Sequence, residues 1–249
     1  CHPIMIRVFA LSLLFVATLA MPNITSAQTP KTIAEVVQTT KPLALRDLQL
    51  GREFSLSSSE TQTTVNATAR VPKPAIVTRE QWQAKPTSGT IVNHFPAAVT
   101  IHHGGDKPLA PDADTASLVR NLQTWSQTQK GWCDIPYHFM IDLNGTIYEA
   151  RPWDIRGDTN TAYDTNKHLL IELIGNYEEQ APSMAQLNAI CDLTAWVCDY
   201  FNIPPETIAG HKDYTSTLCP GTYVYPYVLS GWIEGQVRKK IQTAYTIKH

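Results

Sequence analysis

Ile101-His102-His103-Gly104 and Gly210-His211-Lys212-Asp213-Tyr214-Thr215-Ser216-Thr217-Leu218-Cys219-Pro220-Gly221 are the two segments on which the reading of this chain turns. In the second, a His precedes a Cys by eight positions in a loop rich in turn residues. Two imidazoles and a thiolate make a three-ligand zinc set, which leaves one tetrahedral position open. A closed structural site would need a fourth protein ligand, and the chain offers neither CxxC nor HxxxH to supply it. An open zinc site points to hydrolysis. Ala98 to His102 is a short apolar strand candidate that ends at the two histidines. Alternation along a strand sends His102 and His103 to opposite faces, so only one of them is expected to bind metal. The spacing alone does not choose between them.

Around these segments the pattern is mixed. Thr115 to Trp125 reads as a helix with Asp114 as N-cap and Leu118, Leu122 and Trp125 on one face. Tyr137 to Ile141 and Thr146 to Glu149 flank Asn144-Gly145, a hairpin signal. Leu169 to Ile174 reads as a strand whose one charge is Glu172. Ser183 to Phe201 reads as a long helix. Ser183 and Gln186 fit a capping box, and Leu187, Ile190, Thr194, Val197 and Phe201 form one stripe. Val228 to Ile241 reads as a closing helix. Strands mixed with helices predict an α/β fold, a mixed central β-sheet flanked by α-helices.

The chain of 249 residues divides into three stretches. Residues 1–27 read as a secretory signal: Met5 is the expected initiator, Arg7 the positive start, Val8 to Met21 the apolar run, and Thr25-Ser26-Ala27 the small residues before the cut. The apolar run is shorter than the roughly 20 residues a span needs, so no stable membrane anchor is expected. Residues 28–74 are rich in Ser, Thr, Gln and Ala and read as a flexible linker, with a weak helix at Thr32 to Leu50 and a boundary at Val71-Pro72-Lys73-Pro74. Residues 75–245 read as one catalytic domain. The formal net charge of −2 suggests no nucleic-acid partner and no basic membrane face. Four cysteines follow the signal: Cys133, Cys191, Cys198 and Cys219. On a helix, Cys191 and Cys198 would stand about 10 Å apart, beyond disulfide reach. Free thiols on a core face are the expectation.

Ile101-His102-His103, Tyr137-His138-Phe139, Gly175-Asn176-Tyr177 and the 210–221 loop, taken in order, resemble the zinc N-acetylmuramoyl-L-alanine amidases of type 2. This is the superfamily of the phage T7 lysozyme and the peptidoglycan recognition proteins. Ile76-Val77-Thr78-Arg79-Glu80-Gln81-Trp82 resembles the opening segment of the recognition-protein branch. The resemblance runs from about residue 76 to 240. It implies one Zn2+ per chain, held by His102, His211 and Cys219 and not by His103. It implies catalytic roles for Glu172 and Tyr137 in proton transfer, and for Thr217 at the oxyanion. Glu172 matches the bacterial amidases, which several recognition proteins do not. Non-catalytic relatives lose the Tyr or the Cys, so their retention implies an enzyme. The implied substrate is peptidoglycan or a muropeptide, met by an exported monomer, periplasmic or secreted. Non-catalytic peptidoglycan binding is the alternative.

Gly131-Trp132 and Arg151 stand where recognition proteins that prefer diaminopimelate carry Gly-Trp and Arg. Diaminopimelate differs from lysine by one carboxylate, which an Arg fork can pair with bidentately. Two departures from the family pattern are visible. Gly104 follows the histidine pair where Thr or Ser is usual. Ile155-Arg156-Gly157-Asp158-Thr159 replaces a Gly-Ala-His segment.

Overall fold

The computed structural model describes residues 65–246, Ala67 excepted. The signal, most of the linker and the weak helix expected at Thr32 to Leu50 lie outside the described residues. The strands are β1 (Ile76–Val77), β2 (Ala98–His103), β3 (Phe139–Ile141), β4 (Ile147–Glu149), β5 (His168–Leu173) and β6 (Ile208–Gly210). They form one six-stranded sheet in the order β1-β4-β3-β5-β2-β6. The β3–β4 hairpin is antiparallel and the other pairings are parallel, so the sheet is mixed as expected.

Period two decides what each face carries. Val99 and Ile101 of β2, Phe139 and Ile141 of β3, and Leu169, Ile171 and Leu173 of β5 all enter one core. That core is covered by α2 (Met184–Phe201) and α4 (Trp232–Thr246). The α2 stripe of Leu187, Ile190, Thr194, Val197 and Phe201 is buried throughout, and the Ser183–Gln186 capping box closes its N-terminus. On the opposite face Met140 and Tyr148 pack with Trp82, Ile135 and Val119. Val119 belongs to α1 (Thr115–Gln129), which Asp114 caps by accepting from the Ser117 N–H.

Three expectations need correction. The buried face of α1 is Thr115, Val119, Gln123 and Ser126, while Leu118 and Trp125 are exposed. Of the expected stripe, only Leu122 packs against the core, and only partly buried. The closing helix is broken in two, α3 (Tyr225–Leu229) and α4, because Gly231 takes a left-handed φ of 70°. Finally, the domain begins before residue 75. Val71 is buried in the main core, and the backbone N–H groups of Arg70 and Val71 donate to the Asp199 carboxylate at 2.7 and 2.8 Å. A buried carboxylate needs such donors, and this segment supplies them. Cys133, Cys191, Cys198 and Cys219 are all buried and free, as expected.

Candidate active site

The even-numbered face of the sheet builds the site. His102 on β2 pairs in register with Glu172 on β5, which pairs with Met140 on β3. His102 and Glu172 therefore stand side by side on one face. His103 points the other way, where its Nδ1 accepts the Tyr177 N–H at 3.1 Å. His211 follows β6, which pairs with β2 on the other side. The Lys212 N–H donates to the Cys219 carbonyl at 2.9 Å. That bond closes the loop and returns the cysteine to the histidine.

His102, His211 and Cys219 are buried, and one ligating atom of each lies within 4.8 Å of the others. Nδ1 of His102 is 3.5 Å from Sγ of Cys219. Zinc–nitrogen and zinc–sulfur bonds at a tetrahedral angle imply a separation of roughly 3.5 Å, so this pair already has the spacing of two ligands. On the other side of that ring, His102 Nε2 is buried with no hydrogen-bond partner among the described residues. The donor set fits zinc. Burial, reinforced by the neighbouring imidazoles, holds His102 well below the ordinary histidine range. Burial and then His103 bring His211 down to about 4. Both rings are therefore neutral at pH 7 and have a lone pair to give. Burial pushes the Cys219 thiol up to about 12, although the His103 N–H points at its sulfur from 3.3 Å. A cation bound there would reverse that shift and hold a thiolate.

Glu172 is 3% exposed, and its Oε2 has no partner among the described residues. Desolvation pushes its carboxyl up to about 8. A carboxyl in this state takes up and releases a proton near neutral pH, the requirement for general acid–base work. A Cβ at Gly104 would lie 2.8 Å from Glu172 Oε1, so the glycine that departs from the family pattern leaves room for this carboxyl. The Tyr137 ring lies 5.2 Å from that of His102. Burial and then Glu172 raise its phenol well above the ordinary value, so it stays a hydrogen-bond donor. Thr217 lines the same cleft, where its hydroxyl accepts the Cys219 N–H at 3.3 Å. His138 is a core residue: its Nδ1 accepts from Leu170 N–H and its Nε2–H donates to the Ile155 carbonyl.

The cleft over these groups encloses about 700 Å³. Trp132 lines it, placed by Gly131 at φ 66° just after α1. Arg151 is not brought there. It is 1% exposed, and its guanidinium donates to the carbonyls of Ile135 at 2.6 Å, Asp134 at 2.8 Å and Arg156, and to Asp158 at 2.6 Å. The expected contact with a substrate carboxylate is therefore corrected: nearly all the donors of this arginine are engaged inside the protein. Arg151 braces the loop that carries Trp132, Pro136 and Tyr137 against the Asp158 loop.

Part of the cleft wall was not legible in the sequence. Leu122 and Trp125 of α1 line it, as do Asp106 and Thr161, beside Asp158 and Thr159 of the segment that departs from the family pattern. The signal for α1 was present but misassigned, since an apolar stripe on a helix can face a binding cleft as well as a core. Thr161 showed no signal at all, yet its Oγ1 lies 2.7 Å from His211 Nε2.

Residues 61–222 match the sequence profile of Amidase_2, the N-acetylmuramoyl-L-alanine amidase family. The chain belongs to that family. The matched span includes His102, Tyr137, Glu172, His211 and Cys219. Peptidoglycan recognition protein 1 of Mus musculus is 31% identical over 160 residues, which are 63% of this chain and 87% of that protein. The crystal structure of peptidoglycan recognition protein-LE in complex with tracheal cytotoxin, a monomeric diaminopimelic acid-type peptidoglycan, is similar with a TM-score of 0.57 and 26% identity. The match covers 63% of this chain and 93% of that one. The N-acetylmuramoyl-L-alanine amidase LysC from Clostridium intestinale URNW gives a TM-score of 0.53 and 25% identity, over 67% of this chain and 99% of the other. Both recognition proteins and amidases thus share this fold. Among the described residues, no helix is long and apolar enough to cross a membrane.

Proposed function

We propose that this protein is a zinc-dependent N-acetylmuramoyl-L-alanine amidase, which cuts the amide between the lactyl group of N-acetylmuramic acid and L-alanine in peptidoglycan. The observation that carries the reading is the meeting of His102, His211 and Cys219 with a buried, unpartnered Glu172 in one cleft. Zinc held by His102, His211 and Cys219 would supply Lewis-acid polarisation of the scissile carbonyl and a more acidic water. Glu172 accepts the proton of the attacking water at Oε2 and returns it to the leaving nitrogen as the C–N bond breaks. The hydroxyls of Tyr137 and Thr217, which line the same cleft, donate to the carbonyl oxygen as negative charge develops there. Trp132 on the cleft wall receives the stem peptide. Diaminopimelate-type peptidoglycan is the proposed substrate, supported by Trp132 and by the ligand of the recognition protein-LE complex rather than by Arg151. The protein acts as an exported monomer, periplasmic or secreted.

Binding without cleavage is the competing reading, since recognition proteins are among the relatives. The two are separated by incubating the zinc-loaded protein with purified peptidoglycan and analysing the soluble products by mass spectrometry. Stem peptides with a free L-alanine amine are the expected product. Tight binding with no such product would establish the receptor reading instead.

A further inference from the structure

His211 has two ring nitrogens, and a neutral imidazole carries its proton on one of them. Nε2 faces two hydroxyls: Thr161 Oγ1 at 2.7 Å and Thr159 Oγ1 at 3.4 Å. The two hydroxyls are themselves 3.1 Å apart, and Thr159 Oγ1 also accepts the Thr161 N–H at 3.3 Å. A consistent relay follows. Nε2–H donates to Thr161, the Thr161 O–H donates to Thr159, and the Thr159 O–H is turned to the cleft that it lines. The opposite direction would put the ring proton on Nδ1, the one nitrogen left to face a metal.

The loop that presents Thr161 is firmly held. Its Asp158 end is tied to Arg151 at 2.6 Å. At the other end the Tyr163 hydroxyl is 2.8 Å from Thr100 Oγ1, and the Tyr163 ring stacks on Tyr214 with centroids 4.9 Å apart. Thr165 Oγ1 donates to the Gly157 carbonyl at 2.6 Å. A Cβ on Gly157 would come within 2.5 Å of the Leu170 side chain and 2.7 Å of the Pro136 carbonyl, so the loop lies directly on the sheet.

We propose that Thr161 is a positioning residue that holds His211 as its Nε2–H tautomer and so assigns Nδ1 as the metal-ligating nitrogen. The inference rests on the zinc site proposed above. Partners of this kind orient metal-ligating imidazoles, and their loss lowers metal affinity by 10- to 100-fold in general.

Two measurements test it. The first is zinc affinity by competition with a chromophoric chelator. Thr161→Val should bind zinc 10- to 100-fold more weakly, and Thr161→Ser, which keeps the hydroxyl, should stay within about threefold of wild type. Wild-type affinity in Thr161→Val would overturn the proposal. The second measurement needs no variant and stands even if Thr161→Val fails to fold. A long-range proton–nitrogen spectrum of the ring nitrogens of wild-type protein, assigned with His211→Gln, should give the Nε2–H pattern for His211. An Nδ1–H pattern would overturn the proposal. A wild-type protein that binds no zinc would refute the metal site instead, while the ring spectrum would still decide what Thr161 does.

Discussion

The floor of the cleft and its wall are built by different means. The floor is the end of a parallel strand pair, where His102 and Glu172 face the same way because register and period two leave no other choice. The wall is an assembly of a helix face, a short loop after Gly131 and the 156–161 loop, the two loops being joined by the buried guanidinium of Arg151. In the proposed amidase the floor supplies the chemistry on a rigid support. The wall supplies contact area, and its geometry depends on long-range packing. Substitutions in the floor should therefore act on rate and metal, and substitutions in the wall on stability and substrate affinity.

The largest effect is expected at Cys219. Cys219→Ala should fold, because the main core lies on the other face of the sheet, and should lose zinc together with activity down to background. Full zinc occupancy and full turnover in this variant would break the proposed ligand set. Next comes Glu172→Gln, which should keep zinc and lose on the order of 10²-fold or more in kcat, the scale of a proton-transfer group. An unchanged rate would reduce Glu172 to a structural residue.

Arg151→Met sharpens the comparison from the wall side. It strips the Asp134 and Ile135 carbonyls of their charged donor and should destabilise the fold by about 2–4 kcal/mol in denaturant titration. If stability were unchanged while discrimination between diaminopimelate and lysine stem peptides vanished, Arg151 would be a substrate residue after all. Gly104→Ala places a methyl 2.8 Å from Glu172 Oε1. The displaced carboxyl should lower kcat roughly tenfold with zinc retained. A wild-type rate there would mean that the position of Glu172 tolerates movement. Trp125→Ala should have the smallest effect, a rise in KM of about two- to fivefold at unchanged kcat, from one lost aromatic contact. A larger change in kcat than in KM would move Trp125 from the wall to the floor.

The sequence by itself determined the four inner strands of the sheet and which side chains share its floor. Ala98 to His103 and His168 to Leu173 are runs whose alternation places apolar residues on one face and His102 and Glu172 on the other. The capping box at Ser183 and the Asn-Gly hairpin are equally local, and both appear where their residues stand. Such features are legible because they depend on neighbours a few positions apart. Tertiary structure decided the rest. Only packing showed that Leu122 and Trp125 of α1 line a cleft, since periodicity reports a face and not what the face meets. Only packing showed Arg151 engaged with the carbonyls of Asp134, Ile135 and Arg156, because a charge in a loop carries no local mark of burial. Gly231 divides the closing helix, and Val71 joins a core that its Pro-flanked, polar surroundings did not announce. Thr161 meets His211 across fifty positions of chain, a contact fixed by how the loop lies on the sheet and not by any residue next to it.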